Sequence, residues 1–458
     1  MAGFIVAARA ACDREAMVLD AFEDAARRAA DRVGCGLTGG AANLVCASVP
    51  LVVPCPQGHG TPAHSTRPKA ISTMAGDIKI KRAYHYCRAC RDGFFPADRL
   101  LGVEARTTST AFDRAVTAAA REVSFARAAQ LVEEITGRHA PSVSRCERIA
   151  KRSGRAARAL IEADTARAVC AKPGALRRCW DPGATAYVLI DGTGLPMVPS
   201  ETAGRQGKQP DGTGKTREVK IARLATQTGC DKHGQPVLDK HSTSYVATFD
   251  PAAVFTTDVA AEAVRRDLAH APRLAVIADG ATWIWCLADK LWPNATQIVD
   301  YFHAAEHVCD LADLLKPHLP ADQDPVTFTQ LLTDNLKAGR IQQLANHARA
   351  IALPDQATKD KVAAAVAYFT KNWHRMQYAQ FKQDGFFIGS GAVESSCKSL
   401  AEARAAQSGM RWTIKGADPI IALRALHRSD NQGDNRYNRI WDRTTPKTTP
   451  ATATHQHS

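Results

Sequence analysis

The sequence predicts a multidomain α/β chain, and three observations carry that prediction. At 458 residues the chain exceeds what one core usually supports. Its middle alternates buried-type apolar strands with helical periods, the pattern of a sheet covered by helices. Ahead of that stand two different patterns, an alternating segment rich in Cys and His and then three short helical periods.

Taken in order, apolar residues recur at helical spacing from Asp13 to Val33, and the glycine-rich run from Gly34 reads as a break. Residues 1–50 are therefore expected as an N-terminal helical segment. Residues 51–102 change character. Pro, Gly, His and Cys precede GDIKIKRAYHYC, whose alternation predicts a strand or hairpin. Cys87 and Cys90 make a C-x-x-C knuckle, with Cys55 and His59 upstream. Two pairs of soft ligands separated by a hairpin suit a tetrahedral structural zinc ion, so a zinc-ribbon-like module is expected. A metal-free relic and a redox C-x-x-C are the alternatives. Lys81, Arg82 and Arg88, interleaved with Tyr84 and Tyr86, suit contact with phosphates and bases; an ordinary solvated basic face is the other reading.

Residues 103–168 carry three helical periods separated by short turns, with Ser142 opening a basic third one, which predicts a helix-turn-helix DNA-binding region. Ser144, Arg145, Arg148, Lys151 and Arg152 lie on that third helix. Its first residues would read bases and its later ones would hold phosphate. A plain surface helix is the alternative.

From residue 180 to 310 the pattern becomes mixed. YVLID is a buried-type strand, EVKIARLATQT and SYVAT are further strands, and a helix leads to a second buried strand, RLAVIAD. Another helix and the strand TQIVDYF follow. Residues 311–380 read as all-helical, residues 381–442 open on GSGAVESSCKSLAEARAA as a further helix, and residues 443–458 form a polar tail expected to be disordered. Gly212 to Thr216 has some features of a phosphate-binding loop, but Gln209 stands where that pattern needs Gly and a strand follows, so nucleotide binding is rejected. The run is better read as a basic loop in which Lys215 and Arg217 can grip DNA.

The formal charge is +13, and between Leu51 and Leu160 there are 19 Lys and Arg against nine Asp and Glu. That concentration places the footprint for a polyanion in the N-terminal third. Thirteen cysteines, mostly isolated in apolar runs, fit reduced thiols in a cytoplasmic protein that joins the nucleoid when bound to DNA. Neither a signal peptide nor a membrane-length apolar run is evident, so no membrane partner is expected.

Three carboxylates stand where a metal site could assemble: Asp191 ending YVLID, Asp279 ending RLAVIAD, and Glu394 in the first turn of a helix. Strand ends fix a side chain in place, and glycine after both aspartates allows close approach. Oxygen ligands suit Mg²⁺ or Mn²⁺, and two such ions about 3.5–4 Å apart can run phosphoryl transfer. Each aspartate alone is equally a turn or cap residue. The order of elements is more specific: strand with Asp, two strands, helix, strand with Asp, helix, strand, and a helix with Glu is the order of an RNase H-like core. Here that core would carry an all-α insertion.

The segments VLIDGTG, VIADGATWIW, IVDYFHAAEHV, YFTKNWHRMQYAQF and GSGAVESSCKSLAEARAAQSGMRW together resemble the Kra-type bacterial insertion-sequence transposases, over about Cys55 to Trp441. The resemblance implies an Asp-Asp-Glu enzyme with Asp191, Asp279 and Glu394 as catalytic carboxylates holding two Mg²⁺ or Mn²⁺ ions. It also implies that Asp300 and His303 support the site as an Asp-x-x-His element, with Asp300 the rival for second carboxylate. His303, Glu306 and His307 are a further candidate metal set. In the upstream half of the zinc module the family's second Cys is missing, and His59 stands as its substitute. The implied function is to bind double-stranded DNA at the element's ends, cut it and join it to target DNA, as a homo-oligomer in the synaptic complex. The alternatives are a non-catalytic DNA-binding derivative and a nuclease without strand transfer.

Overall fold

The computed structural model describes residues 18–137, 141–170, 179–207, 213–389, 398–431 and 436–442. It is a mixed α/β chain of two compact units, Met1–Ser153 with Asn438–Ser458, and Gly154–Tyr437. Among the described residues no helix is long and apolar enough to cross a membrane.

The first unit opens with a long helix, α1 (Val18–Ala47). The glycine run that reads as a break does not break it. None of Gly34, Gly36, Gly39 and Gly40 leaves the helical region for positive φ, and two of them meet the sheet. A Cβ on Gly34 would lie 3.2 Å from that of Ala75, and one on Gly39 would lie 3.6 Å from that of Ile78. Local propensity is overruled by packing.

Beneath α1 runs an antiparallel sheet in the order β1 (Val52–Pro54), β2 (Gly60–Thr73), β3 (Gly76–Cys87), β4 (Asp92–Phe94). Alternation decides its faces: Ile78 and Ile80 are buried while Lys79 and Lys81 are exposed. Ile71, Ile78 and Ile80 join Ala42 and Cys46 of α1 and Val103 in one core. Asn43 ties helix to strand, because its side-chain amide donates to the Lys79 carbonyl and its oxygen accepts from the Lys81 N–H.

Three helices follow, α2 (Thr110–Ala120), α3 (Phe125–Thr136) and α4 (Val143–Val169). Ser109 and Ser124 cap the first two by accepting from Phe112 N–H and Arg127 N–H, and Gly137 ends α3 in the left-handed region. Phe112, Val116, Ala129, Val132, Cys146 and Ile149 form their core. Near the other end of the chain, Ile440 and Trp441, which belong to this first unit, are buried, with Arg114 over the Trp441 ring.

The second unit is built on a six-stranded sheet. Its strands are β5 (Thr185–Pro196), β6 (Thr216–Gln227), β7 (Ser242–Thr248), β8 (Arg273–Ala278), β9 (Thr296–Val299) and β10 (Asp430–Asn431), in the order β9-β8-β5-β6-β7-β10. β9, β8 and β5 are parallel, and β5, β6, β7 and β10 are antiparallel. β5 and β8 lie in the middle of the core, which explains why Ala186–Ile190 and Ala275–Ala278 are continuous apolar runs rather than alternating ones. α5 (Ala252–Arg265) and α6 (Thr282–Leu291) pack into the same core through Phe255, Val259, Ile284 and Leu287.

After β9 comes a helical stretch: α7 (Tyr301–Leu315), α8 (Pro325–Lys337), α9 (Ile341–Arg349), α10 (Gln356–Lys371) and α11 (Tyr378–Gln383). α7 packs on both α8 and α10, joined by Leu311, Leu332, Leu344 and Phe369. α12 (Ile414–Arg428) lies against β7. Where α4 passes it, a Cβ on Gly154 would fall 2.3 Å from the Pro419 carbonyl oxygen, so only glycine fits. Arg158 clamps the crossing through two bonds to Asp418, 2.5 and 3.0 Å. A buried ionic group lies close by: Arg436 bonds Asp164 at 2.9 Å and Glu262 at 3.0 Å.

Candidate metal centre and acidic site

Four ligands meet in the first unit. β1 delivers Cys55 into a tight turn, where its N–H donates to the His59 carbonyl and its own carbonyl accepts from Gly58 at φ 88. β3 ends on Cys87, and the turn to β4 presents Cys90 beside Arg91, which takes a positive φ of 53. Cys55 Sγ lies 3.7 Å from Cys90 Sγ and 3.5 Å from His59 Nδ1, and His59 Nδ1 lies 3.3 Å from Cys90 Sγ and 3.8 Å from Cys87 Sγ. Ligands about 2.3 Å (sulfur) and 2.0–2.1 Å (nitrogen) from one tetrahedral zinc ion stand roughly 3.5–3.8 Å from one another. The cluster can therefore hold a metal ion such as zinc, with His59 completing the set. Among the described residues no other group of three or more His, Cys, Asp or Glu ligands gathers this closely; His303, Glu306 and His307 do not.

Desolvation works to raise the Cys55 thiol, but hydrogen bonds from the Gln57 and His59 backbone and from the His59 and Cys90 side chains bring it down to about 6. Desolvation and the bonds from Cys87 and Cys55 push Cys90 up to about 12. Packed thiols hold unequal shares of negative charge, the condition a bound cation relieves.

In the second unit Ile190 pairs with Ala278 in parallel register. Asp191 and Asp279 thus stand one residue further along neighbouring strands, whose backbones run about 4.8 Å apart. Asp191 does not end its strand: β5 continues to Pro196, paired with β6 alone, because β8 stops at Ala278. Both carboxylates are half-buried. Asp191 accepts from the Gly192 N–H at 2.6 Å, and Asp279 accepts from the Ala281 N–H at 2.9 Å. Asp300 is used differently. It is buried at the start of α7, where one oxygen accepts from the Phe302 and His303 N–H groups, which makes it a helix cap. Glu394 lies outside the described residues.

Two neighbours were not singled out from the sequence. Thr193, on the same face of β5 as Asp191, donates to Glu402 at 2.5 Å, which brings a third carboxylate to that face. Tyr368 of α10 donates to the Asp279 carbonyl at 3.2 Å, and its ring stacks on His307 at 4.1 Å. Burial, then the charge on His303, lowers the His307 pKa; Asp310, Glu306 and Asp279 oppose this. Both lie inside segments quoted for the family resemblance, but nothing local marks Glu402, 209 residues from Thr193.

Compared with known proteins, the chain matches no family model and no curated protein. The site is therefore argued from its own residues.

Gly280 gives the first test of that site. It sits at φ 99, and a Cβ there would lie 3.0 Å from the Tyr368 ring. Gly280→Ala is expected to cost about 1–3 kcal/mol through backbone strain, read as a lowered melting temperature. An unchanged melting curve would mean that the turn after Asp279 is not held as described.

The basic residues divide. Lys81, Arg88 and Lys215 are exposed, as is Arg67, whose guanidinium lies 3.8 Å over the Tyr84 ring. Arg82 is instead turned inward, bonded at 2.6 Å to buried Asp98. On α4, Ser144 and Arg148 face solvent, but Arg145 bonds Ser72 and the Thr107 carbonyl, Arg152 bonds buried Asp113 at 2.5 Å, and Lys151 pairs with Glu147. Arg217 donates to the Glu201 carbonyl. Among the tryptophans, Trp285 and Trp412 are buried, Trp283 is packed on the core, and Trp373 is 58% exposed.

Proposed function

We propose that the chain is a DNA transposase of the Asp-Asp-Glu class, related to the Kra-type insertion-sequence enzymes, with an RNase H-like core. One observation carries the reading: Asp191 and Asp279 each follow the last paired residues, Ile190 and Ala278, of the neighbouring parallel strands β5 and β8 in the middle of the sheet. The strand order around them, antiparallel β5, β6, β7 and β10 extended by parallel β8 and β9, supports that reading. On this reading the helical stretch between β9 and residue 383 would be the all-α insertion.

The donor type fits the cation, since half-buried carboxylate oxygens are what Mg²⁺ or Mn²⁺ takes. Asp191 and Asp279 would hold it, together with Glu394. Two ions bound there would activate a water or 3′-hydroxyl and stabilise the leaving oxygen. The chain's own work is positioning. Tyr368 and the Ala281 N–H fix Asp279, the Gly192 N–H orients Asp191, and Thr193 anchors Glu402 beside it. Exposed Lys81, Arg88, Arg67 and Arg148 in the first unit, and separately Lys215 in the second, would hold DNA phosphates, and the module around Cys55 and Cys90 would give the first unit's basic residues a rigid base.

The test is to incubate the purified chain with Mn²⁺ or Mg²⁺ and DNA bearing the element's ends, beside Asp279→Ala. Cleavage and joining are expected to fall at least about 10²–10³-fold in the variant, the scale set by losing one positioned charge-stabilising group, while DNA binding persists. Binding without cleavage by the wild type would move the reading to a non-catalytic DNA-binding protein. An active Asp279→Ala would shift the second carboxylate to Asp300.

A further inference from the structure

α1 has two faces, and among the described residues only one packs on the sheet of its own unit. Cys35, Gly39, Ala42, Asn43 and Cys46 pack toward β3, whereas Leu19, Val33, Leu37 and Leu44 are 75, 61, 70 and 74% exposed. Between these apolar residues lie exposed Ala26, Ala30, Gly40 and Ala47. From Ala26 to Ala47 the exposed series advances by four and three residues in turn, the repeat that keeps one seam facing a partner helix.

The glycines add an independent sign. Gly34 and Gly39 have a reason in their own chain, because β3 and its turn approach them. Among the described residues, no atom lies within 4 Å of where a Cβ on Gly36 or Gly40 would stand. Glycine is costly inside a helix, and small residues are what a closely approaching second backbone requires.

We propose that α1 pairs antiparallel with α1 of a second copy of this chain. Setting Leu37 against Val33 of the second copy places Leu44 against its Ala26, Ala30 against its Gly40, and Glu23 against its Ala47. Leu37 packs on Val33 at the centre and Leu44 faces a small residue to either side, along a seam roughly 36 Å long. Charge selects the direction. Asp20, Glu23, Asp24, Arg27, Arg28, Asp31 and Arg32 all lie in the first half of the helix, and Val33 to Ala47 carries no charge. A parallel, in-register pair would set Glu23 on Glu23 and stack like charges along the first half. The antiparallel pair sets each charged half against an uncharged one.

Sedimentation of the full chain at micromolar concentration is expected to give a dimer. The double variant Leu37→Glu/Leu44→Glu is expected to raise the dissociation constant at least about a hundredfold, with circular dichroism unchanged and a melting temperature that no longer rises with chain concentration. A photo-crosslinking residue in place of Val33 should yield a species of twice the chain mass, joined to the peptide that carries Leu37. A monomeric wild type would overturn the proposal, as would a dimer that survives the double variant. A crosslink within one chain to residues 1–17 would overturn it too, by giving the seam to the chain's own N-terminal segment. The proposal stands apart from the catalytic reading, since a dimer without cleavage upholds the one and sinks the other.

Discussion

Cys90→Ser is expected to abolish zinc uptake and to loosen the whole four-stranded module. The wild-type chain should carry one zinc ion by elemental analysis, and the variant close to none. Proteases should then cut within residues 51–102, where the intact module resists. The effect is large because little else holds this region. Its core draws on Ile71, Ile78, Ile80, Ala97 and Val103, with Ala42 and Cys46 from α1, and so small an apolar set needs a staple. Structural zinc supplies apparent binding free energies of about 10–16 kcal/mol in small modules. Acid should act in the same direction. Zinc requires thiolates, and Cys55, at about 6, is the ligand that keeps its charge furthest down the pH scale. Cys90, held near 12 by its burial and its neighbouring thiols, must give up a proton on binding. Uptake should therefore release protons and weaken as pH falls. A metal-free wild type that is as protease-resistant and as stable as Cys90→Ser would reduce the four residues to packed thiols.

The second large effect is expected at Arg436. Its guanidinium bonds Asp164 and Glu262, and all three side chains are no more than 6% exposed. Removing the cation while leaving two buried carboxylates is costlier than never having had the group, typically by about 3–5 kcal/mol. For Arg436→Met this should appear as a melting temperature lower by roughly 5–15 °C. Burial works to raise the Glu262 pKa, but Arg265, Arg436, the Ser244 bond and Arg266 outweigh it and hold the carboxyl below its usual range. A depressed carboxylate stabilises the fold above its unfolded pKa and loses that contribution as pH falls through the folded one. The wild type should lose part of its stability below about pH 4.5, and Arg436→Met should begin its loss at higher pH. Adding Glu262→Gln to the variant should restore part of the stability. A melting temperature and an acid limb both unchanged by Arg436→Met would show that the group carries no net stabilisation.

What could be read from the sequence depended on how local each signal was. The apolar runs of β5 and β8, the serine caps of α2 and α3, and the alternation of β3 are short-range patterns, and the mixed α/β, multidomain class follows from them. Signals that depend on a distant partner misled. The glycines of α1 look like a break until β3 lies against them. Arg82, Arg145 and Arg152 look like a nucleic-acid face until buried Asp98, Ser72 and Asp113 are seen to hold them. Asp191 looks like a strand end because Gly192 and Gly194 follow, yet β6 pairs with β5 as far as Pro196. Cys55, His59, Cys87 and Cys90 were legible as a set because a hairpin joins their two halves. Thr193 and Glu402 were not, for nothing along the chain links them.

The chain's division carries an implication for synthesis. The first unit contains residues 1–153 and also Asn438 onward, with Ile440 and Trp441 buried in it. A ribosome makes those two pieces well apart in time, with the entire second unit translated in between. The early piece must wait, its site for Ile440 and Trp441 unfilled, until those two residues have been made. Translation that stops before residue 440 would release a product with one unit whole and the other open, a hydrophobic gap that quality-control proteases and chaperones are suited to detect.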